Sequence, residues 1–269
     1  MLITTNGLVI RSYTSGNSDR VIHILTLDHG LLSVLVKGGG SKKGGADPAI
    51  QLFSYSNFEL YQGKTGDLYW YRGGSVNNSF YNVTSDITNM ALASYLCDLT
   101  GAFFPEESPE DASAPLLRML LNSLYVLDNQ QKPPALVKPV FELRSACLMG
   151  YEPDLGGCTV CGETNPENAY IDVMNGRFIC ESCHAGQSRS IPDKVRQDEQ
   201  RLGRVICPVT GSVLAAIRYV LSAPDKKIFS FAVKDAEEER ALGRIAETYL
   251  LNQLEQDFDT LHFYRAVAD

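Results

Sequence analysis

Nowhere does the sequence contain the roughly 18 to 20 consecutive apolar residues that a bilayer-spanning helix requires. Its start, MLITTNGLVIRSY, has no basic stretch running into an apolar one, so no secretory signal is expected and a cytoplasmic setting is. Nucleophile and protease signatures are missing as well: there is no G-x-S-x-G, no H-E-x-x-H and no informative pair of carboxylates. QGKTG, from Gln62 to Gly66, invites a nucleotide-binding reading, but the position where a P-loop needs its first glycine is Phe58. A β-turn is the expected reading there, and the chain reads as a binder rather than an enzyme. Cations are in short supply, 24 against 32 acidic residues for a net charge of −8. Taken alone, that balance disfavours a polyanion-binding protein.

The distribution of charge reverses this inference for one segment. Residues 1–80 carry seven basic and five acidic groups, a net of +2, which leaves −10 for the other 189 residues. A polyanion is therefore to be sought on the N-terminal segment. That segment reads as five short strands, GLVIRSYT, RVIHILTL, LLSVLVK, IQLFSYSNFELYQ and DLYWYRGGSV, separated by turn-forming SGNSD, DHG, KGGGSKKGGADP and GKTG. Five strands with a long loop after the third predict a small antiparallel barrel, an OB-fold first and an SH3-like barrel as the alternative. The loop KGGGSKKGG, Lys37 to Gly45, brings three lysines to this unit, as a phosphate clamp or as a solvated loop. Tyr55, Phe58, Tyr69, Trp70 and Tyr71 lie on the strands, where alternation sends some side chains into the core and leaves others outside, free to stack bases.

From Asp86 the hydrophobic period changes from two to between three and four. DITNMALASYLCDLTGAFF, APLLRMLLNSLYVLDN and PPALVKPVFELRSACLMGYEPDL predict three helices, the third bent or begun near Pro139 and stopped by Gly150 and Pro153. After the cysteine segment, SRSIPDKVRQDEQRLGR reads as linker. TGSVLAAIRYVLSAP and DAEEERALGRIAETYLLNQLEQDF are the last two expected helices, capped by Thr210 or Ser212 and by Asp235.

Four of the seven cysteines form two C-x-x-C pairs, Cys158 with Cys161 and Cys180 with Cys183, with eighteen residues between the pairs. A reducing compartment and an odd count argue against disulfides. A redox centre needs only one such pair. The spacing is that of a ribbon-type zinc site, in which four thiolates complete a tetrahedral shell with no open position for water. AYIDVMNGRFIC between the pairs reads as strand, Asn175-Gly176 turn, strand, a hairpin that delivers the second pair beside the first. His184 is an alternative ligand, made awkward by its adjacency to Cys183. Cys97, Cys147 and Cys207 are expected to be buried small hydrophobes.

In this order the parts resemble the bacterial RecO family of recombination mediators across essentially the whole chain. The resemblance rests on the Asp19-Arg20 strand start, on LTLDHGLLSVLVKG, and on Gly150-Tyr151 with Pro153 and Leu155 ahead of the first cysteine pair. It implies an α+β multi-domain chain: an N-terminal OB-fold β-barrel at 1–80, an α-helical domain begun at 81–156 and completed by a linker and C-terminal helices at 187–269, and an inserted four-cysteine zinc-ribbon-like module at 157–186. It also implies binding of single- and double-stranded DNA, annealing of complementary strands, partnership with RecR and single-stranded DNA-binding protein, and help in loading RecA. The family's basic residues fall here on Arg20, Lys37, Lys42 and Lys43. Where relatives are more basic, this chain has glycines after VKG and Glu255, Asp257 and Asp259 near its C-terminus. The alternative function is a zinc-ribbon adaptor acting mainly through protein partners.

Overall fold

The structure, a computed structural model, describes residues 1–16, 18–39, 47–63, 68–104, 113–190 and 205–268. Contacts group the chain into two compact units, Met1–Pro134 with Phe258–Asp269, and Ala135–Asp257. This grouping cuts across chain order: the helices between residues 81 and 128 share a unit with the N-terminal strands, as does the final helix.

In the first unit β1 (Leu2–Ser15), β2 (Asp19–Thr26), β3 (Leu31–Val36), β4 (Tyr55–Gln62) and β5 (Leu68–Asn78) close a barrel in the order β1-β2-β3-β5-β4. All neighbours are antiparallel except β3 and β5, whose parallel pairing brings the fifth strand between the third and the fourth. This is the expected OB-fold barrel. Alternation fills its interior: Ile22 and Ile24 from β2, Leu32, Val34 and Val36 from β3, and Phe58 and Leu60 from β4 meet Ile3, Val9 and Ile50. A side chain of this kind that is fully buried contributes about 1.5 to 3 kcal/mol. A turn at Pro48–Ile50 buries Ala49 and Ile50, and Asp47 holds it by accepting from the Ala49 N–H at 2.9 Å and the Tyr71 hydroxyl at 2.5 Å. Gly7 marks a close approach, since a Cβ there would sit 2.5 Å from Ile24 Cγ2 and 2.8 Å from the Leu25 carbonyl.

Leu8, Val9 and Ile10 are consecutive and all buried, because a bulge between Val9 and Arg11 shifts register and helices cover this part of the outer face. Those helices are α1 (Tyr81–Ser85), α2 (Ile87–Ala102) and α3 (Ser113–Asp128). Asp86 caps α2, accepting from the Asn89 N–H at 2.8 Å. Along α2, Ala91, Tyr95 and Leu99 are buried at the three- and four-residue steps of the sequence period, but Ile87 is 56% exposed, and Leu92, Ala93 and Leu96 on other faces are buried too. A helix with neighbours on several sides loses the one-sided pattern from which a face is read.

The second unit begins with α4 (Pro134–Leu148), which starts before Pro139 and carries it internally. Lys138, almost fully buried, bridges Glu142 and Glu247 at 2.8 Å each. β6 (Asn168–Asp172) pairs with β7 (Arg177–Cys180) on one edge and with β8 (Ile206–Thr210) on the other. The hairpin turn spans four residues, 173–176, instead of the two-residue Asn-Gly turn expected; Gly176 supplies the positive φ of 59° and Asp172 accepts from the Asn175 N–H. α5 (Glu181–Ser190), α6 (Gly211–Ser222) and α7 (Ala236–Leu254) complete the unit. Thr210 caps α6 and Asp235 caps α7, both as expected. The last helix, expected over residues 235–258, ends sooner: α7 stops at Glu255, whose φ is +50°, and a further helix, α8 (Asp259–Ala268), follows in the first unit. There Phe258 packs edge-on against Tyr95.

Candidate metal centre and nucleic-acid face

Three backbone elements converge on the cysteines. The loop 157–163 folds back on itself, with the Cys158 N–H donating to the Glu163 carbonyl at 2.8 Å and the Gly162 N–H to the Cys158 carbonyl at 2.9 Å. Gly162 takes a φ of +78° to close it. Cys180 ends β7 and Cys183 lies in the first turn of α5, while the Thr159 N–H donates to the Phe178 carbonyl at 3.1 Å and docks the loop on the strand. The result is that the Sγ atoms of Cys158, Cys161, Cys180 and Cys183 all lie within 4.8 Å of one another. These thiols are free, and Cys161 and Cys180 stand 3.7 Å apart, well beyond an S–S bond of about 2.05 Å. A tetrahedron with bonds of about 2.3 Å has edges of about 3.8 Å. The donor set and its spacing therefore fit a tetrahedral metal ion, and the cluster could hold one.

The local electrostatics point the same way. Burial raises the Cys158 thiol, but N–H groups of Cys180, Cys161 and Val160 outweigh it and bring it to about 6. The Ser182 hydroxyl, 3.2 Å from Cys180 Sγ, lowers that thiol. Cys161 is raised, and Cys183 is pushed up to about 12 by its hydrogen bonds to the neighbouring sulfurs. Four thiolates this close repel one another, and a dication is what allows all four to ionise together. His184, the alternative ligand, stacks instead on Tyr170 at 3.9 Å and is outside the cluster. Cys97 and Cys207 are buried and Cys147 half-buried, each with a thiol raised chiefly by burial, as befits small hydrophobes.

On the barrel, Arg20 pairs in register with Val36, one residue from Lys37. The two basic side chains differ in setting: Arg20 has the parity of the inward Ile22 and Ile24 and is half-buried, whereas Lys37 is exposed beyond the end of β3. Asp19 links the two strands by accepting from the Gly38 N–H at 2.9 Å. Lys42, Lys43 and the Lys64–Gly66 part of QGKTG lie outside the described residues.

Alternation sorts the aromatics. Phe58 is in the core and Tyr69 and Tyr71 pack against it, so Trp70 faces outward. Leu35, Trp70 and Tyr61 are directly opposite one another across β3, β5 and β4, and form one outer row. Lys37 Nζ lies 4.7 Å over the Trp70 ring and the Arg72 guanidinium 5.3 Å over the Tyr61 ring. Exposed contacts of this kind are worth about 0.5 to 1 kcal/mol each. Arg72 and Tyr61 were not among the residues picked from sequence. Their signal was parity: with Phe58 and Leu60 inside, Tyr61 must lie outside or at the rim.

Known families and proteins match the sequence in two adjoining segments. Residues 1–80 match the family described as Recombination protein O N terminal, and residues 84–262 that described as Recombination protein O C terminal. DNA repair protein RecO of Acetivibrio thermocellus is 28% identical over 265 residues, covering 98% of this chain and 97% of that one. The RecO of Dehalococcoides mccartyi is 31% identical over 189 residues, 68% of this chain and 71% of its own. That of Caldanaerobacter subterraneus is 24% identical over 268 residues, 99% of both chains. With both family segments matched in order over nearly the full length, the chain belongs to the recombination protein O (RecO) family of DNA repair proteins.

Proposed function

We propose that this chain is a non-catalytic recombination mediator that binds single- and double-stranded DNA through its barrel, using Arg20, Lys37, Lys42 and Lys43. It anneals complementary strands and, with RecR, helps RecA load onto DNA coated by single-stranded DNA-binding protein, in the cytoplasm at the nucleoid. The observation that carries the reading is a closed OB barrel with cations on its outer face, in the N-terminal segment, residues 1–80, whose net charge is +2 against −10 for the rest of the chain. Phosphates of two strands lying on one basic surface are screened from each other, so complementary bases meet at lower electrostatic cost. Nothing in this step requires nucleotide hydrolysis or a covalent intermediate.

Cys158, Cys161, Cys180 and Cys183 would hold one zinc ion per chain, which when bound supplies a closed tetrahedral cross-link. The protein's own contribution is to bring the cysteine loop and the start of α5 together on the end of β7.

The test is the salt dependence of single-strand binding. Replacing Lys37, Lys42 and Lys43 together by Ala should lower the slope of log K against log salt by about 2, from roughly 0.7 per neutralised phosphate. Annealing, assayed without ATP, should weaken in parallel. An unaltered slope in the triple variant removes these lysines from the DNA contact, and no binding by the unmodified chain removes the reading altogether.

A further inference from the structure

We propose that the outer face of β3, β5 and β4 is a stacking platform for single-stranded nucleic acid, with successive bases on Trp70 and Tyr61 and their phosphates met by Lys37 and Arg72. The proposal rests on the reading that the barrel binds DNA and adds which strand state it takes and where.

Trp70 and Tyr61 are cross-strand partners on the side of the sheet opposite the core residues Phe58 and Leu60. Each ring is already covered by a cation from a neighbouring strand position, Lys37 at 4.7 Å and Arg72 at 5.3 Å. Both cations sit on long flexible stems, so a base that takes the ring face displaces the cation by only a few ångström, toward the phosphate attached to that base. The exchange keeps the charge paired and replaces a weak exposed contact by a stronger stack. Lys37 and Arg72 thus hold the platform ready in the absence of nucleic acid.

Spacing chooses the strand state. Side chains directly opposite across two antiparallel strands have Cβ atoms about 5 Å apart, whereas successive bases in a stacked strand rise about 3.4 Å. Bases lying on both rings must part from each other, which a single strand permits and a duplex, with both base faces covered by neighbours, does not. Glu59 lies two residues before Tyr61 and is exposed. Among the described residues of this face, two cations against one carboxylate leave it mildly positive, and the stacking rings carry the selectivity.

The chain has a single tryptophan, Trp70, so its intrinsic emission reports this face directly. Unmodified protein should be titrated with a labelled oligothymidylate and with a duplex of equal length, following label anisotropy for binding and tryptophan emission for stacking. The expected result is quenching of Trp70 by the single strand only. Trp70→Ala should weaken single-strand binding roughly five- to 150-fold while leaving duplex binding unchanged, and Trp70→Phe should restore most of it. Because Trp70 points away from the core, circular dichroism of both variants should match the parent. Anisotropy that rises with the single strand while emission stays constant overturns the platform and leaves DNA binding intact. No anisotropy change with either nucleic acid overturns both.

Discussion

Removing the zinc ion proposed for the four cysteines should unfold the cysteine loop and leave the strands that carry it in place. The loop 157–163 has seven residues, and Thr159 to Glu163 are all exposed. Ordering a residue's backbone costs about 1 to 2 kcal/mol, so the loop costs about 7 to 14 kcal/mol. Against this stand three backbone hydrogen bonds, from the amides of Cys158, Thr159 and Gly162, at about 0.5 to 1.5 kcal/mol each. The deficit of about 3 to 12 kcal/mol is no larger than the roughly 10 to 16 kcal/mol that a structural zinc ion supplies. The hairpin is different. Ile171, Val173 and Phe178 are buried and contribute about 1.5 to 3 kcal/mol each without metal. β8 adds a ladder along β6, and Gln253 donates to the Val173 carbonyl at 3.3 Å. Hydrogen exchange read by mass spectrometry before and after chelation should therefore show protection lost over residues 157–163 and the start of α5, and retained over β6, β7 and β8. The metal content before chelation should be about one zinc per chain. Exchange of β6 and β7 together with the loop refutes the reasoning, because the hairpin would then depend on the metal too. A loop that stays protected after full metal release refutes it from the other side.

Gly7→Ala should destabilise the barrel by about 1 to 3 kcal/mol in urea unfolding, since the new Cβ meets the Leu25 carbonyl as well as Ile24; an unchanged midpoint would mean that β1 and β2 can part at no cost. Glu238 is buried and accepts from Ser212, from the Lys234 N–H and from Thr210, with Ser212 foremost in holding its carboxyl below the usual range. A depressed folded pKa means stability that is present above the unfolded carboxylate value of about 4.3 and is lost as pH falls through the folded value. Glu238→Gln should then cost about 1.5 to 3 kcal/mol at neutral pH, and the gap to the parent should close in acid; a gap independent of pH would assign the loss to packing.

Local signals decided a good deal. The switch of period at Asp86, the caps Asp86, Thr210 and Asp235, and the two C-x-x-C pairs are short-range facts, legible because capping and chelation each involve residues a few positions apart. Alternation likewise decided that one of two adjacent aromatics, Trp70 or Tyr71, must leave the core, but not which. That choice came from register, which is a relation between strands distant in sequence: the parallel pairing of Leu35 with Trp70 and the register shift between Glu59 and Leu60 where β4 pairs with β5. The same holds for β8, which joins the cysteine hairpin by pairing with β6, and for α2, whose pattern was blurred because it has neighbours on several sides. The break at Glu255 was hidden for another reason. Its left-handed backbone is held by a residue with no glycine signature, and what separates α7 from α8 is that they pack in different units. Sequence determines which residues are able to bind a metal or stack a base; only the tertiary structure decides which of them meet, because side chains remote along the chain are brought face to face by pairing and packing that no local pattern encodes.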